Sequence, residues 1–286
     1  MSLFRWFAAQ DDFVAWATAL RPVLEPLEAA LATRDAYDGF CTRCVQPTRF
    51  TVSAGVMLGL GPNLREGLLC ARCGLSNRGR LLFTALREAV PSASAKIVAL
   101  ERLSPLYAQL AQAYPDLTGS EFIAPDVPSG TATTVGGITV RHESITALSY
   151  ASGTIDALCH SDVLEHVFAT DAALRECRRV LRDGGRMVFT CPFLMHLAQT
   201  SARALQRDDG SVELLAPAEY HGDPMHPAGA LTFHHFGWDL LARCRAAGFA
   251  RVECGVLYDA YLGFTSSHHP DWNYGAMLPL VFRADA

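Results

Sequence analysis

Along the first part of the chain, Phe4, Phe7, Phe13, Trp16, Leu20, Leu24, Leu27 and Leu31 recur at helical spacing, the signature of one buried helix face. The spacing predicts one or two helices over 3–33, broken near Pro22 and Pro26, whose rings remove a backbone donor. Such a face packs on a larger domain; a lid over a site or a homodimer interface is the sharper alternative. From residue 95 the pattern changes. AKIVALE is a β-branched run ending in an acid, SPLYAQLAQAY is helical, and DLTGSEFI is a second short strand. A Gly-, Pro- and Thr-rich interruption, APDVPSGTATTVGG, leads into ITVRHESITAL, and TIDALCHSDVLEHV reads as a buried strand running into a loop. ATDAALRECRRVL is an amphipathic helix stopped by Arg182-Asp183-Gly184-Gly185, a C-terminal signal, and GRMVFTCPF is the next strand. A polar stretch rich in His, Asp and Gly interrupts the alternation at about 194–235; HHFGWDLLARCRAAGFA is again helical, and RVECGVLYDA and MLPLVFRA are the last strands. Strands interleaved with helices of this length imply right-handed βαβ units. The expected fold is α/β: a mostly parallel, seven-stranded sheet whose last strands form an antiparallel edge.

Composition narrows the picture. Half of the 286 residues are hydrophobic and 19% are charged, enough for one large domain with a small appendage. A net charge of −5 argues against nucleic acid as a partner, because non-specific binding rests on Lys and Arg neutralising phosphates. No run approaches the roughly 18 apolar residues of a membrane span, and Asp11-Asp12 stand where a signal peptide would be apolar. The expected place is the cytoplasm, away from membranes.

The nine cysteines divide into two groups. Cys159, Cys177, Cys191, Cys244 and Cys254 are scattered through apolar or helical segments and read as reduced core residues. Cys41-Thr-Arg-Cys44 and Cys70-Ala-Arg-Cys73-Gly74 instead bracket a short segment containing the turn Gly61-Pro62-Asn63. Each pair can wrap a tight knuckle around one ion, and two knuckles complete a tetrahedral thiolate site with no open position. Cys41, Cys44, Cys70 and Cys73 are therefore expected to hold a structural zinc. Arg43, Arg72, Arg78 and Arg80 surround them and read more readily as a solvated face than as a docking patch. The divisions expected are a helical segment (1–36), a four-cysteine module (37–82) and the main domain (83–286), with 194–235 inserted on the substrate side.

The stretch TIDALCHSDVLEHVFATDAALRECRRVLRDGGRMVFTCPF resembles the central motif of class I S-adenosylmethionine-dependent methyltransferases: a hydrophobic-Asp strand, a V-L-E-H loop, and a helix ending R-V-L-x-x-G-G. SEF, RHESITALSY, AEYHGDP and FHHFGWDLL resemble, more narrowly, a bacterial subgroup that also carries the cysteine knuckles. The resemblance implies a Rossmann-like methyltransferase fold, S-adenosylmethionine as cofactor, and methyl transfer to a small-molecule substrate at O or N. One departure stands out: such enzymes end their first strand in a glycine-rich turn, where Leu103 and Pro105 stand in this chain.

Ligands of an open parallel sheet bind beyond the carboxyl ends of its strands. On the resemblance, Glu101 lies by the cofactor's aminocarboxypropyl arm, Ser120 and Glu121 by the ribose hydroxyls, and Glu143 with Ser144 by the adenine amino group. His160, Ser161 and Asp162 follow the fourth strand, facing the methyl sulfonium. Methyl transfer is chiefly a problem of alignment, and a general base helps only where the nucleophile arrives protonated. The candidate bases are His166, Tyr220, His221 and Asp223, with His226, His234 and His235 nearby in sequence. A second metal site from Glu219, His221, Asp223 and His226 uses acceptable ligand types but matches no standard spacing. Phe236 and Trp238 read as core. Two other readings remain: the same fold used for a non-methylating reaction, suggested by the missing glycines, and a binding or scaffold protein built on the cysteine knuckle.

Overall fold

The computed structural model describes residues 2–53, 57–58, 61–207, 209–267 and 278–286. A short strand β1 (Arg5–Phe7) precedes one helix, α1 (Gln10–Ala32), in place of the broken pair expected. Pro22 and Pro26 lie inside α1 without ending it. Both prolines face solvent, as does Thr18, one of the residues whose carbonyl loses its amide partner, so water can satisfy it. The opposite face carries buried Phe13, Ala17, Leu24 and Leu31, and this tertiary packing outweighs the missing donors.

The cysteine module is a three-stranded antiparallel sheet of β2 (Ala36–Cys41), β3 (Gln46–Val52) and β4 (Leu68–Cys70), with a one-turn helix α2 (Leu64–Gly67) before β4. Asn63 starts α2 by accepting from the amides of Arg65 and Glu66, an N-cap. Helix α3 (Asn77–Ala89), capped by Ser76, leads out of the module.

The main sheet contains, in chain order, β5 (Ile97–Ala99), β6 (Thr118–Glu121), β7 (Ala132–Val135), β8 (Ile138–His142), β9 (Ile155–Ser161), β10 (Leu181–Thr190), β11 (Arg251–Val256) and β12 (Leu280–Asp285). Helices α4 (Pro105–Ala113), α5 (Thr170–Val180) and α6 (Asp239–Ala246) connect them. The order across the sheet is β1-β11-β12-β10-β9-β5-β6-β8-β7, nine strands rather than seven. The five from β10 to β8 run parallel, and β12 and β11 form the expected antiparallel edge. The two extra strands are edge additions. β1 pairs with β11, and β7 comes from the interruption expected to be irregular, folding back on β8 through Gly136-Gly137. Both glycines have positive φ, the requirement of a tight hairpin turn. Helix α5 ends at Val180, and the chain enters β10 at once, with Gly184 as a left-handed kink inside the strand.

Successive strand residues point to opposite faces, so two cores form. Leu158, Met187, Phe189 and Phe282 pack with Phe13, Leu174 and Leu240 on one face. Ala157, Cys159, Val188 and Val281 pack with Leu82, Leu86 and Leu110 on the other. The five scattered cysteines are buried and unpaired by disulfides, as expected, and Phe236 and Trp238 are core residues. This is a Rossmann-like fold built on a large, mostly parallel sheet, and no helix of the described residues is long and apolar enough to cross a membrane.

Candidate active site

The strand order reverses between β5 and β9, which makes the crevice beyond their carboxyl ends the natural ligand site. Glu101 lies just past β5. Its Oε1 is buried without a hydrogen-bond partner, while Oε2 accepts from Ser104. Burial raises this carboxyl to about 7, against the pull of Ser104 and Arg78. Glu121 ends β6, and its Oε1 accepts from the amides of Arg102 (2.7 Å) and Leu103 (2.8 Å). The turn that lacks glycines is thus tied down by the neighbouring strand's acid. Pro105 is no fault there: it opens α4, where an N–H would go unused, and Ser104 caps the helix through the amide of Tyr107.

Across the crevice, Ser161 and Asp162 meet residues that sequence reasoning did not place there. Arg65 of α2 grips both oxygens of Asp162, at 2.8 and 2.9 Å, a bidentate fork. Arg78 of α3 contacts Ser161 Oγ and pairs with Glu66 at 2.6 and 2.9 Å. Thr190 adds a hydrogen bond to Asp162 at 2.8 Å. Although burial opposes it, the two arginines hold the Asp162 carboxyl far below the usual range. Asp162 adopts a left-handed backbone, φ 53°, which carries its carboxylate off the strand direction toward Arg65. The only sequence hint of this cluster was the basic content around the cysteines. Reading those arginines as a solvated face is wrong for two of them, since Arg78 lines the crevice and Arg80 is fully buried.

The other predicted cofactor residues are disposed differently. Ser120 is buried with an unpartnered Oγ. Glu143 is buried and already accepts from Arg141 Nε (2.7 Å) and the Ser149 amide (2.8 Å), so an adenine amino group would have to displace these bonds. Ser144 donates its amide to Ser129 and shares its hydroxyl with Thr146. His160 lies inside β9 rather than after it, stacked on Phe189 at 4.9 Å, with both ring nitrogens buried and unpartnered. Burial drives it to about 3, so it stays neutral.

A second group forms where the turn Leu164–His166 meets the ribbon of Tyr220–His221 and Ala230–Leu231. Glu165 is fully buried, and neither carboxylate oxygen has a hydrogen bond. His166 Nε2 and His221 Nδ1 each lie 3.6 Å from its Oε1. Glu219 accepts from His221 Nε2 (3.0 Å) and His235 Nε2 (2.9 Å) and pairs with Arg203. Glu165, with help from Glu219, raises the His221 imidazole. Asp223 pairs with His226 at 2.8 Å and lies near enough to contribute to raising Glu121, whose main cause is burial. The 194–235 insertion therefore reaches toward the crevice. Tyr220 is exposed, and the foursome Glu219, His221, Asp223 and His226 splits into two separate pairs.

In the cysteine module the four sulfurs lie within 4.8 Å of one another, with Cys41 and Cys73 at 3.9 Å. Tetrahedral zinc–thiolate geometry requires about 3.8 Å between sulfurs. The residue after each pair, Val45 or Gly74, takes a left-handed turn. The Cys44 amide points at Cys41 Sγ.

Residues 105–189, from the first residue of α4 to near the end of β10, match the family model described as a methyltransferase domain. The match begins just past the turn that lacks glycines. Among solved structures, an S-adenosylmethionine-dependent methyltransferase from Mesorhizobium loti is 18% identical, covering 74% of this chain and 100% of its own, with a TM-score of 0.44. One from Thermotoga maritima is 14% identical over 73% and 91% of the two chains, with a TM-score of 0.38. These likenesses are too distant to bear on substrate. No curated protein matches.

Proposed function

We propose that this chain, which carries a class I S-adenosylmethionine-dependent methyltransferase domain, transfers a methyl group to an oxygen or nitrogen of a small-molecule metabolite. The observation that carries this reading is the pair of acids, Glu101 and Glu121, at the ends of the first two parallel strands beside the reversal in strand order. The orphaned buried Glu101 Oε1 suits a ligand that brings an amine, and Glu121 is a carboxylate suited to paired ribose hydroxyls. When bound, the cofactor supplies an electrophilic methyl on a sulfonium. The chain's own work is then alignment. Glu101 and Arg78 would flank one end of the cofactor, Glu121 would accept from the ribose, and the Asp162–Arg65 pair would form the wall toward the acceptor. His166 and His221, with Glu165 behind them, are the groups best placed to take a proton from the acceptor, with Asp223 at the crevice edge. Tyr220 faces solvent and is the weakest of the four.

The four cysteines fit a structural zinc, because four converging thiolates leave no coordination site for chemistry. A second reading, the same fold with a non-methylating use, draws on one feature: Asp162 and Ser161 are already engaged by Arg65 and Arg78. Titrating S-adenosylmethionine and S-adenosylhomocysteine into zinc-replete protein by calorimetry decides between them. Micromolar binding of both supports the methyltransferase reading, and absence of binding in folded protein overturns it.

A further inference from the structure

We propose that Glu165, His166 and His221 form a second metal site, for a divalent first-row transition ion, distinct from the four cysteines. The ligand atoms lie within 4.8 Å of one another. Glu165 Oε1 stands 3.6 Å from both His166 Nε2 and His221 Nδ1. That is too long for hydrogen bonds. It is close to the roughly 3.4 Å that a tetrahedral ion with bonds of about 2.1 Å imposes on its ligands.

The surroundings fix which nitrogens carry protons. His166 Nδ1 is 2.9 Å from the Leu231 carbonyl, so it donates, and its lone pair is on Nε2. His221 Nε2 is 3.0 Å from Glu219 Oε1, so it donates, and its lone pair is on Nδ1. Two imidazole lone pairs and a buried carboxylate with no donor of its own thus converge on one point. Three acceptors facing each other repel unless a cation lies between them. The partners behind the ligands match those of metal-bound histidines, which hand their other N–H to a carboxylate or a carbonyl. Glu219 is itself braced by His235 and Arg203, and the Phe233 amide holds the Glu165 carbonyl at 2.7 Å.

Two imidazoles and one carboxylate leave further coordination positions free. His166 and His221 are part-exposed, 16% and 31%, so the free positions open toward solvent. A site of this kind binds an exchangeable ligand rather than stapling the fold. The assignment goes beyond the methyl-transfer reading and does not depend on it. Its use does rest on that reading: in place of proton uptake by His166 or His221, whose lone pairs it would occupy, the ion would hold an acceptor oxygen and lower its pKa, favouring acceptors with two adjacent oxygens. The competing arrangement is a proton in place of the metal, giving a charged His221 between Glu165 and Glu219, with His166, Asp162, His235 and Arg203 facing the group.

Manganese(II) discriminates between the two metal sites, since it prefers N and O ligands to thiolates. Zinc-loaded protein, with one zinc per chain at the cysteines, is titrated with Mn2+ and followed by electron paramagnetic resonance. We expect one further ion per chain, with echo modulation from imidazole nitrogen, and at least tenfold weaker binding in His221→Ala. Glu165→Gln, which keeps the side chain's shape, should weaken binding similarly. Absence of Mn2+ binding, or binding that neither substitution changes, overturns the site. So does a His221 imidazole that nuclear magnetic resonance shows doubly protonated at neutral pH under excess metal. The cofactor titration is run separately on wild-type protein, so its failure counts against methyl transfer and not against the metal.

Discussion

Arg80 offers the sharpest test of how the cysteine module is held. Its side chain is fully buried, donates to the carbonyls of Leu68 (3.1 Å), Leu75 (2.7 Å) and Gly263 (2.7 Å), and lies 4.5 Å over the Phe50 ring. No carboxylate pairs with it in these bonds; against the cost of burial, its charge is favoured by Cys41, Cys70 and Cys73. A divalent ion bound by four thiolates carries a net charge of about −2, which a single interior guanidinium partly offsets. Arg80→Met keeps the apolar stem against Phe50 but removes a donor from three carbonyls; Leu75 still accepts from the Cys70 amide, which leaves two stranded, each costing about 1–3 kcal/mol. Adding the loss of a buried charge partner, worth about 3–5 kcal/mol in comparable cases, the expected destabilisation is at least about 5 kcal/mol. Urea unfolding followed by tryptophan fluorescence measures it, in zinc-loaded and in chelated protein. The loss should be larger with zinc. A loss under about 1 kcal/mol in the zinc-loaded form refutes the reasoning about buried acceptors. Equal losses with and without zinc refute the charge pairing.

Glu121→Ala removes both the proposed ribose acceptor and the acceptor for two backbone amides, so cofactor affinity should fall at least tenfold by calorimetry, with about 1–3 kcal/mol of stability lost. Glu101 has a folded value near 7, above its ordinary carboxyl value. Its protonated form is therefore favoured by folding, a contribution complete below about pH 4.5 and lost as pH rises through about 7. Wild type should accordingly lose stability relative to Glu101→Gln across that window in denaturation at stepped pH, and parallel curves would contradict it. Val45 is a β-branched residue at φ 54° and 74% exposed. Val45→Gly should stabilise the knuckle by about 1 kcal/mol, relief of left-handed strain outweighing glycine's entropy, read as a raised unfolding midpoint.

Pattern carries much of this fold, because the continuous apolar runs of β9 and β10, buried on both faces, and the single apolar stripe on α5 are visible in the sequence. It fails where tertiary packing overrides local preference. Pro22 and Pro26 break a helix in isolation, but here both face water while Phe13 and Leu24 anchor the other side. The strand inside APDVPSGTATTVGG is mostly exposed, so it has no burial pattern to read, and only Gly136-Gly137 marks its turn. At the candidate site, Glu101 and Glu121 were legible because strand ends carry ligands in this architecture. Arg65 and Glu66 were not: they lie about a hundred residues before Asp162, and nothing in their local sequence points to that distant carboxylate. Glu165 sits within the V-L-E-H loop, and a sequence cannot show that its carboxylate is fully buried without a partner.

The segment that brings Arg65 and Glu66 into the crevice belongs to the cysteine module, not to the parallel sheet. That module is stitched to the chain between β11 and β12: Phe40 to Tyr261, Leu64 to Ser267, Arg80 to Gly263. Asn77, at the start of α3, bonds Thr265, and Ser266 with Tyr258 grips Glu28 of α1. A shortened chain beginning at 83 would thus keep the whole parallel sheet and still forfeit the guanidinium groups that hold Asp162 in place. On the proposed function, metal supply to the knuckle would act as a throttle on the crevice, exerted by an ion remote from the substrate.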